Sequence, residues 1–201
     1  IRYIGAGAVL ASGLITLART IPTIVASARG SLKDLSSGVG QATQSRTERD
    51  VPMAVVLGGS LLLAIFLTVA PGLPSQGNVI AAVLILIFGF FFATVSSRIT
   101  GLIGSSSNPI SGMTIATLIL TCLLFVGLGW TGDMYAPIAL SVGAIVCIAA
   151  ANAGATSQDL KTGYLVGATP IRQQVGLVIG VVVSTFVIGL TVKLLHTYFV
   201  I

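Results

Sequence analysis

Apolar runs that approach or exceed the length of a membrane crossing follow one another along this chain, with short polar connections between most of them. A crossing helix needs about 20 mostly apolar residues. Six stretches fit that pattern: residues 3–28, 51–70, 78–95, 113–130, 135–151 and 175–198. Only 7% of the residues are charged and the mean hydropathy is +1.05, whereas soluble domains carry about 25% charged residues. The expected fold is an all-α integral membrane protein: a polytopic helical bundle with about six spanning helices, forming a single transmembrane domain over residues 1–201. The chain opens at Ile1 and closes at Ile201 inside apolar runs, so it is expected to be part of a larger membrane protein.

The basic residues set an orientation. The connection at 29–50 holds Arg29, Lys33, Arg46 and Arg49, the third holds Arg98, and the fifth holds Lys161 and Arg172. The second holds none, and the fourth carries only Asp133. Odd connections are basic and even ones are not, which is the positive-inside pattern. The chain is therefore expected to be multi-pass in the plasma or inner membrane. Connections 29–50, 96–112 and 152–174 should face the cytoplasm or be entered from it. This placement of charge also accounts for the net +5 without any nucleic-acid partner. Trp130 and Tyr135 flank the fourth connection as interfacial aromatics do. Small residues four apart, such as Gly7 with Ala11 and Gly176 with Gly180, predict close helix–helix approach, and the adjacent pair Gly58-Gly59 adds to that reading.

Two connections are unusual. Residues 96–112 and 152–174 are rich in Gly, Ser, Thr and Pro yet contain apolar positions such as Ile99, Leu102 and Ile103. Irregular backbone at membrane depth is tolerated only where protein or a water-filled cavity covers it. Both segments are therefore expected to be broken or re-entrant. Asn108-Pro109 should interrupt one helix and launch the next, because proline disfavours the α conformation in its predecessor. Ser106 and Ser107 would then supply hydroxyl caps, and the helix N-terminus would suit an anionic group such as a peptide carboxylate. In the second segment Thr156-Ser157-Gln158-Asp159 is expected to cap a short helix, with Asp159 in its first turn. A carboxylate at membrane depth is a candidate proton carrier; pairing with Lys161 or Arg172 would instead keep it ionised. The candidate substrate-binding or coupling residues are Ser106, Ser107, Asn108, Gln158, Asp159, Lys161, Tyr164 and Arg172.

No catalytic constellation is present. The chain lacks H-E-x-x-H, G-x-S-x-G and G-x-x-x-x-G-K-[ST], so no enzyme activity is expected. His196 has no second ligand at metal-site spacing, and Cys122 and Cys147 sit inside apolar runs, so no metal site is expected.

Three stretches resemble the oligopeptide transporter (OPT) superfamily, in a prokaryotic-type form. They are Ser106-Ser107-Asn108-Pro109-Ile110-Ser111-Gly112-Met113-Thr114-Ile115, Thr156 to Pro170 through Gln158-Asp159-Leu160-Lys161-Thr162-Gly163-Tyr164, and Arg2-Tyr3-Ile4-Gly5-Ala6-Gly7-Ala8 with Ile21-Pro22-Thr23-Ile24. The resemblance covers essentially the whole chain. It implies an interior portion from the C-terminal half of a secondary carrier, working as a proton-coupled symporter of oligopeptides or related small amides. The coupling ion would be H+, with no other cofactor. The alternative it implies is a carrier of metal–chelate complexes; a channel or scaffold is a further reading. Expected partners are the small peptide or metal-chelate substrate, the lipid bilayer and the rest of the same transporter chain, with room for a homo-oligomer.

Overall fold

Asn78 caps the first of the long helices: its side-chain Oδ1 accepts from the backbone N–H of Ile80 at 2.9 Å and of Ala81 at 3.2 Å. That cap satisfies two of the orphan donors at a helix start. In the computed structural model the residues described are 45–69, 78–105 and 108–199, with isolated positions 11, 15 and 22. They form a 3-10 turn at Arg46–Glu48 and five helices: α1 (Met53–Val69), α2 (Val79–Ile103), α3 (Ile110–Gly127), α4 (Tyr135–Leu165) and α5 (Pro170–Phe199). The last four are long and apolar enough to cross a membrane. Helix α1, at 17 residues, is shorter; at 1.5 Å per residue it reaches about 26 Å. The expected span at 3–28 and the connection at 70–77 lie outside the described residues, as do Ser106 and Ser107.

The helices overrun their expected ends. Helix α2 was expected to stop at 95 and instead continues to Ile103, and α4 continues from the expected 151 to Leu165. Helix α5 starts at Pro170 rather than 175. Of the first expected broken segment, 96–103 belong to α2 and 110–112 to α3; of the second, all but 166–169 belong to α4 and α5. Thr156 to Asp159 cap nothing; they lie within α4. The physical reason is the medium. Glycine and serine weaken a helix in water, but without water the i→i−4 ladder is the way to satisfy each peptide group.

The ends that do occur are built by glycine. Gly104 (φ 92°) closes α2 and donates to the Thr100 carbonyl at 2.9 Å. After α3, Gly129 (φ 76°) donates to Val126 O and Trp130 N donates back to Phe125 O at 2.8 Å. After α4, Gly167 (φ 72°) donates to Tyr164 O and Ala168 N to Gly163 O at 2.8 Å. Both are Schellman closures. The first carries the accompanying apolar contact: Phe125 and Trp130 rings lie 5.4 Å apart, and Trp130 stacks on Tyr135 at 5.1 Å.

The described chain falls into two compact units. The first contains residues 52–158. Its core joins Ala81, Ala82, Leu84, Ile85, Phe92 and Val95 of α2 to Met113, Ala116 and Phe125 of α3 and to Ile138, Ala139, Val142, Val146 and Ala150 of α4. On α4 these recur every three or four residues, one stripe of a helix. The second unit contains residues 45–51 and 159–199. There the segment 45–51 is tied to the α4–α5 turn: Arg46 Nη2 donates to Gly167 O at 2.8 Å, Ile171 N to Arg49 O at 3.1 Å, and Val51 N to Gln174 Oε1 at 3.3 Å.

Close packing at glycine occurs at positions other than those expected. A Cβ at Gly58, Gly59, Gly176 or Gly180 would meet nothing within 4 Å, whereas one at Gly143 would lie 2.6 Å from Leu118 Cδ2. At Gly163 it would overlap the Gln173 carboxamide. A small-residue pair permits approach but does not choose its partner, and the exposed faces of α1 and α5 have none among the described residues.

Candidate functional site

Hydroxyl groups on these helices mostly satisfy themselves. Ser60, Thr94, Thr114, Thr117 and Ser141 each donate to the carbonyl four residues back, at 2.7–2.9 Å. In hydrocarbon that local bond removes the penalty of an unpaired hydroxyl. The exceptions on α2 and α4 gather along one seam. Ser96 Oγ donates across to Ala150 O at 2.5 Å, and Ser157 Oγ donates to Ser97 O at 2.9 Å.

The seam is formed by Ser96, Ser97, Thr100 and Gly101 on α2 and by Ala150, Gly154 and Ser157 on α4. Spacings of four and of three or four residues put each set on one helix face. Gly154 is the point of closest approach. A Cβ there would lie 2.6 Å from Asn108 Nδ2 and 3.0 Å from both Ser96 Oγ and Thr100 Oγ1. Ser96 is fully buried and Thr100 is 2% exposed.

Asn108 enters this seam from the α2–α3 junction. Its Nδ2 donates to Ser96 Oγ at 2.6 Å. Pro109 holds the N-cap position of α3, without a side-chain cap bond, so the carboxamide of Asn108 turns inward rather than capping the helix. Gln158 supports the same junction from α4, its Oε1 accepting from Ser105 N at 2.8 Å. Two oxygens in the cluster have no partner: Thr100 Oγ1 and Asn108 Oδ1. The arrangement is a neutral hydrogen-bonding cluster between α2 and α3, with spare hydrogen-bonding capacity and no charged side chain in the bonds Ser96 and Asn108 make among the described residues.

Of the residues expected at the site, Asn108 and Gln158 meet the α2–α3 junction in the first unit. Asp159, Lys161, Tyr164 and Arg172 belong to the second unit, where all four are exposed. The Asp159 backbone carbonyl accepts from Gln173 Nε2 at 3.2 Å. Sequence reasoning missed Thr100, Ala150 and Gly154. The available signal was the Ala150–Gly154 pair, two small residues four apart on a helix that continues past 151.

The comparisons with known proteins agree with this architecture. The family model described as OPT oligopeptide transporter protein matches residues 1–201. A Haemophilus influenzae protein that carries the name of an oligopeptide transporter is 32% identical over an aligned length of 219 residues, gaps included, that covers 98% of this chain and 34% of that protein. The chain thus spans about a third of the length of this curated relative. No solved structure matches it. With the family model covering every residue, and with a multi-pass helical structure, the chain belongs to the OPT oligopeptide transporter family.

Proposed function

We propose that this chain is part of a secondary transporter that moves oligopeptides across the cell membrane by proton-coupled symport. The observation that carries the reading is the break between α2 and α3, packed through neutral polar groups against Gly154 of a spanning helix. In secondary transporters, substrate and ion sites form where spanning helices meet through polar groups and irregular backbone. Family membership adds the cargo class.

Orientation follows the same reading: the basic connections face the cytoplasm. In its support, segment 45–51 and the turn after α4 are hydrogen-bonded to one another, as two connections on the same side of a membrane would be. Asp159, five residues beyond Gly154 on α4, is the carboxylate we assign to proton coupling.

The test is uptake of labelled tri- to hexapeptides by the full-length protein in proteoliposomes, with and without an imposed pH gradient. Peptide accumulation that follows the gradient supports the reading. Uptake indifferent to the gradient, or normal coupling in Asp159→Asn, removes the proton step. Accumulation of a metal–chelate complex in place of peptide would transfer the cargo assignment to chelates.

A further inference from the structure

The start of α5 is clasped by a segment from far earlier in the chain. Four bonds make the clasp: Arg46 Nη2 to Gly167 O at 2.8 Å, Arg46 Nη1 to Thr169 Oγ1 at 3.5 Å, Ile171 N to Arg49 O at 3.1 Å and Val51 N to Gln174 Oε1 at 3.3 Å. They bring Arg46 and Arg49 to the end of a spanning helix that carries Arg172. The first amides of that helix are already engaged, Ile171 N by Arg49 O and both Arg172 N and Gln173 N by Thr169 O. What this end still offers is side-chain charge.

The basic side chains of the clasp and of the flanking helix ends divide by what they do. Arg46 is engaged with the turn, and Lys161 has a partner. Arg49 and Arg172 are exposed, and neither guanidinium makes a hydrogen bond or ion pair among the described residues. The carboxylate next to Arg49, that of Asp50, accepts from Val51 N at 2.7 Å. The bond from Ile171 N to Arg49 O fixes Arg49 across from the residue that precedes Arg172. Two unpaired cations are thus held at one end of one helix although like charges repel, and an anion shared between them makes that placement favourable.

Depth in the membrane identifies the anion. Residues 175–192 carry no charge; at 1.5 Å per residue they extend about 27 Å, close to the hydrocarbon thickness of about 30 Å. Arg172 precedes that run by about 5 Å of helix, which is the level of the lipid headgroups. The planar fork of a guanidinium binds a phosphate there through two parallel hydrogen bonds.

We propose that Arg49 and Arg172 bind the headgroup of an anionic phospholipid, with the clasp of 45–51 on α5 as the scaffold of the site. The headgroup phosphate takes the two guanidiniums. The acyl chains run along α5, whose apolar span has no buried residue among those described. Arg172 then serves the lipid rather than the cargo. The inference rests on the membrane setting of the chain and holds whatever the cargo is.

Hydrogen exchange of the amides over 166–171 tests the site, in the full-length protein in nanodiscs of phosphatidylcholine alone or of equal parts phosphatidylcholine and phosphatidylglycerol. In the native protein the anionic lipid should slow exchange about tenfold; in Arg49→Gln or Arg172→Gln the slowing should shrink to about twofold. All variants should match the native rate in phosphatidylcholine alone, because the replaced side chains hold no part of the clasp. Lys193→Gln, at the far end of the uncharged run, should keep the full lipid effect. An undiminished effect in Arg49→Gln or Arg172→Gln overturns the site. An equal loss in Lys193→Gln also overturns it, since that result marks a general surface potential. Inorganic phosphate that slows exchange equally in phosphatidylcholine discs would make the ligand a soluble anion and overturn the lipid assignment.

Discussion

Gly154 stands where any side chain would strike the carboxamide of Asn108: a Cβ at position 154 lies 2.6 Å from Asn108 Nδ2. Two residues 46 positions apart in the chain are thereby required to be small and planar, respectively, at one place. Helix α4 can approach the α2–α3 junction only because position 154 has no side chain.

Gly154→Ala is accordingly expected to destabilise the protein by about 1–3 kcal/mol through overpacking. Helix propensity alone predicts the reverse sign, a gain of about 1 kcal/mol for Gly→Ala. Gly176→Ala, where a Cβ meets nothing within 4 Å, isolates the propensity effect. Thermal unfolding of the two variants of the full-length protein, compared with native, separates them. A stabilised Gly154→Ala would show that the approach at Gly154 is not tight in solution.

A second close approach lies between α3 and α4. A Cβ at Gly143 would sit 2.6 Å from Leu118 Cδ2, the far end of a flexible side chain. Gly143→Ala should cost about 1 kcal/mol, and Leu118→Ala in the same molecule should recover most of it. The double-mutant cycle reads the coupling. Additive effects would mean the two positions do not meet.

Thr121 of α3 carries a second orphaned hydroxyl. It is fully buried and its Oγ1 has no partner, as at Thr100, but it belongs to the middle of α3 rather than to the junction. Thr121→Val should stabilise the protein by about 1 kcal/mol, read as a higher midpoint of thermal unfolding. An unchanged or lower midpoint in Thr121→Val would mean that the Thr121 hydroxyl is paired in solution.

In the second unit, Arg46 fastens the α4–α5 turn through its 2.8 Å bond to Gly167 O and a 3.5 Å contact with Thr169 Oγ1. The bond is exposed, so Arg46→Ala should cost no more than about 1 kcal/mol overall. Its local effect is the sharper readout: amides over 166–169 should exchange faster, with Gly143 and Gly154 contacts unaffected. Unchanged exchange at that turn would show that the Schellman closure at Gly167 holds it without Arg46.

Much of the helical content was legible beforehand because hydrocarbon admits little else. A run such as 79–95 is too apolar for any other use, and the stretch expected from 78 starts where Asn78 caps the helix; the end that Gly129 makes was missed, since that span was expected to reach 130. Helix ends inside polar stretches were not legible. Ser96 to Ile103 read as part of a broken or re-entrant segment, yet they complete α2, because each peptide group there needs its i→i−4 partner. The same force carried α4 through Asn152 and Asp159 to Leu165. Asn108 was legible as a candidate from Asn-Pro alone; its partner was not, since nothing in the order of residues points from position 108 to positions 96 and 154.

The sequence by itself determined that this chain is a helical membrane protein, where its apolar runs lie, and that Asn108 marks a break, since these follow from solvation and from the covalent restrictions of proline. Only the tertiary structure decided which small residue admits close contact and which hydroxyl goes unpaired. Gly58, Gly154 and Gly176 look alike in the sequence, as do Thr94 and Thr100. What separates them is the helix standing opposite, and that depends on long-range packing rather than on local composition.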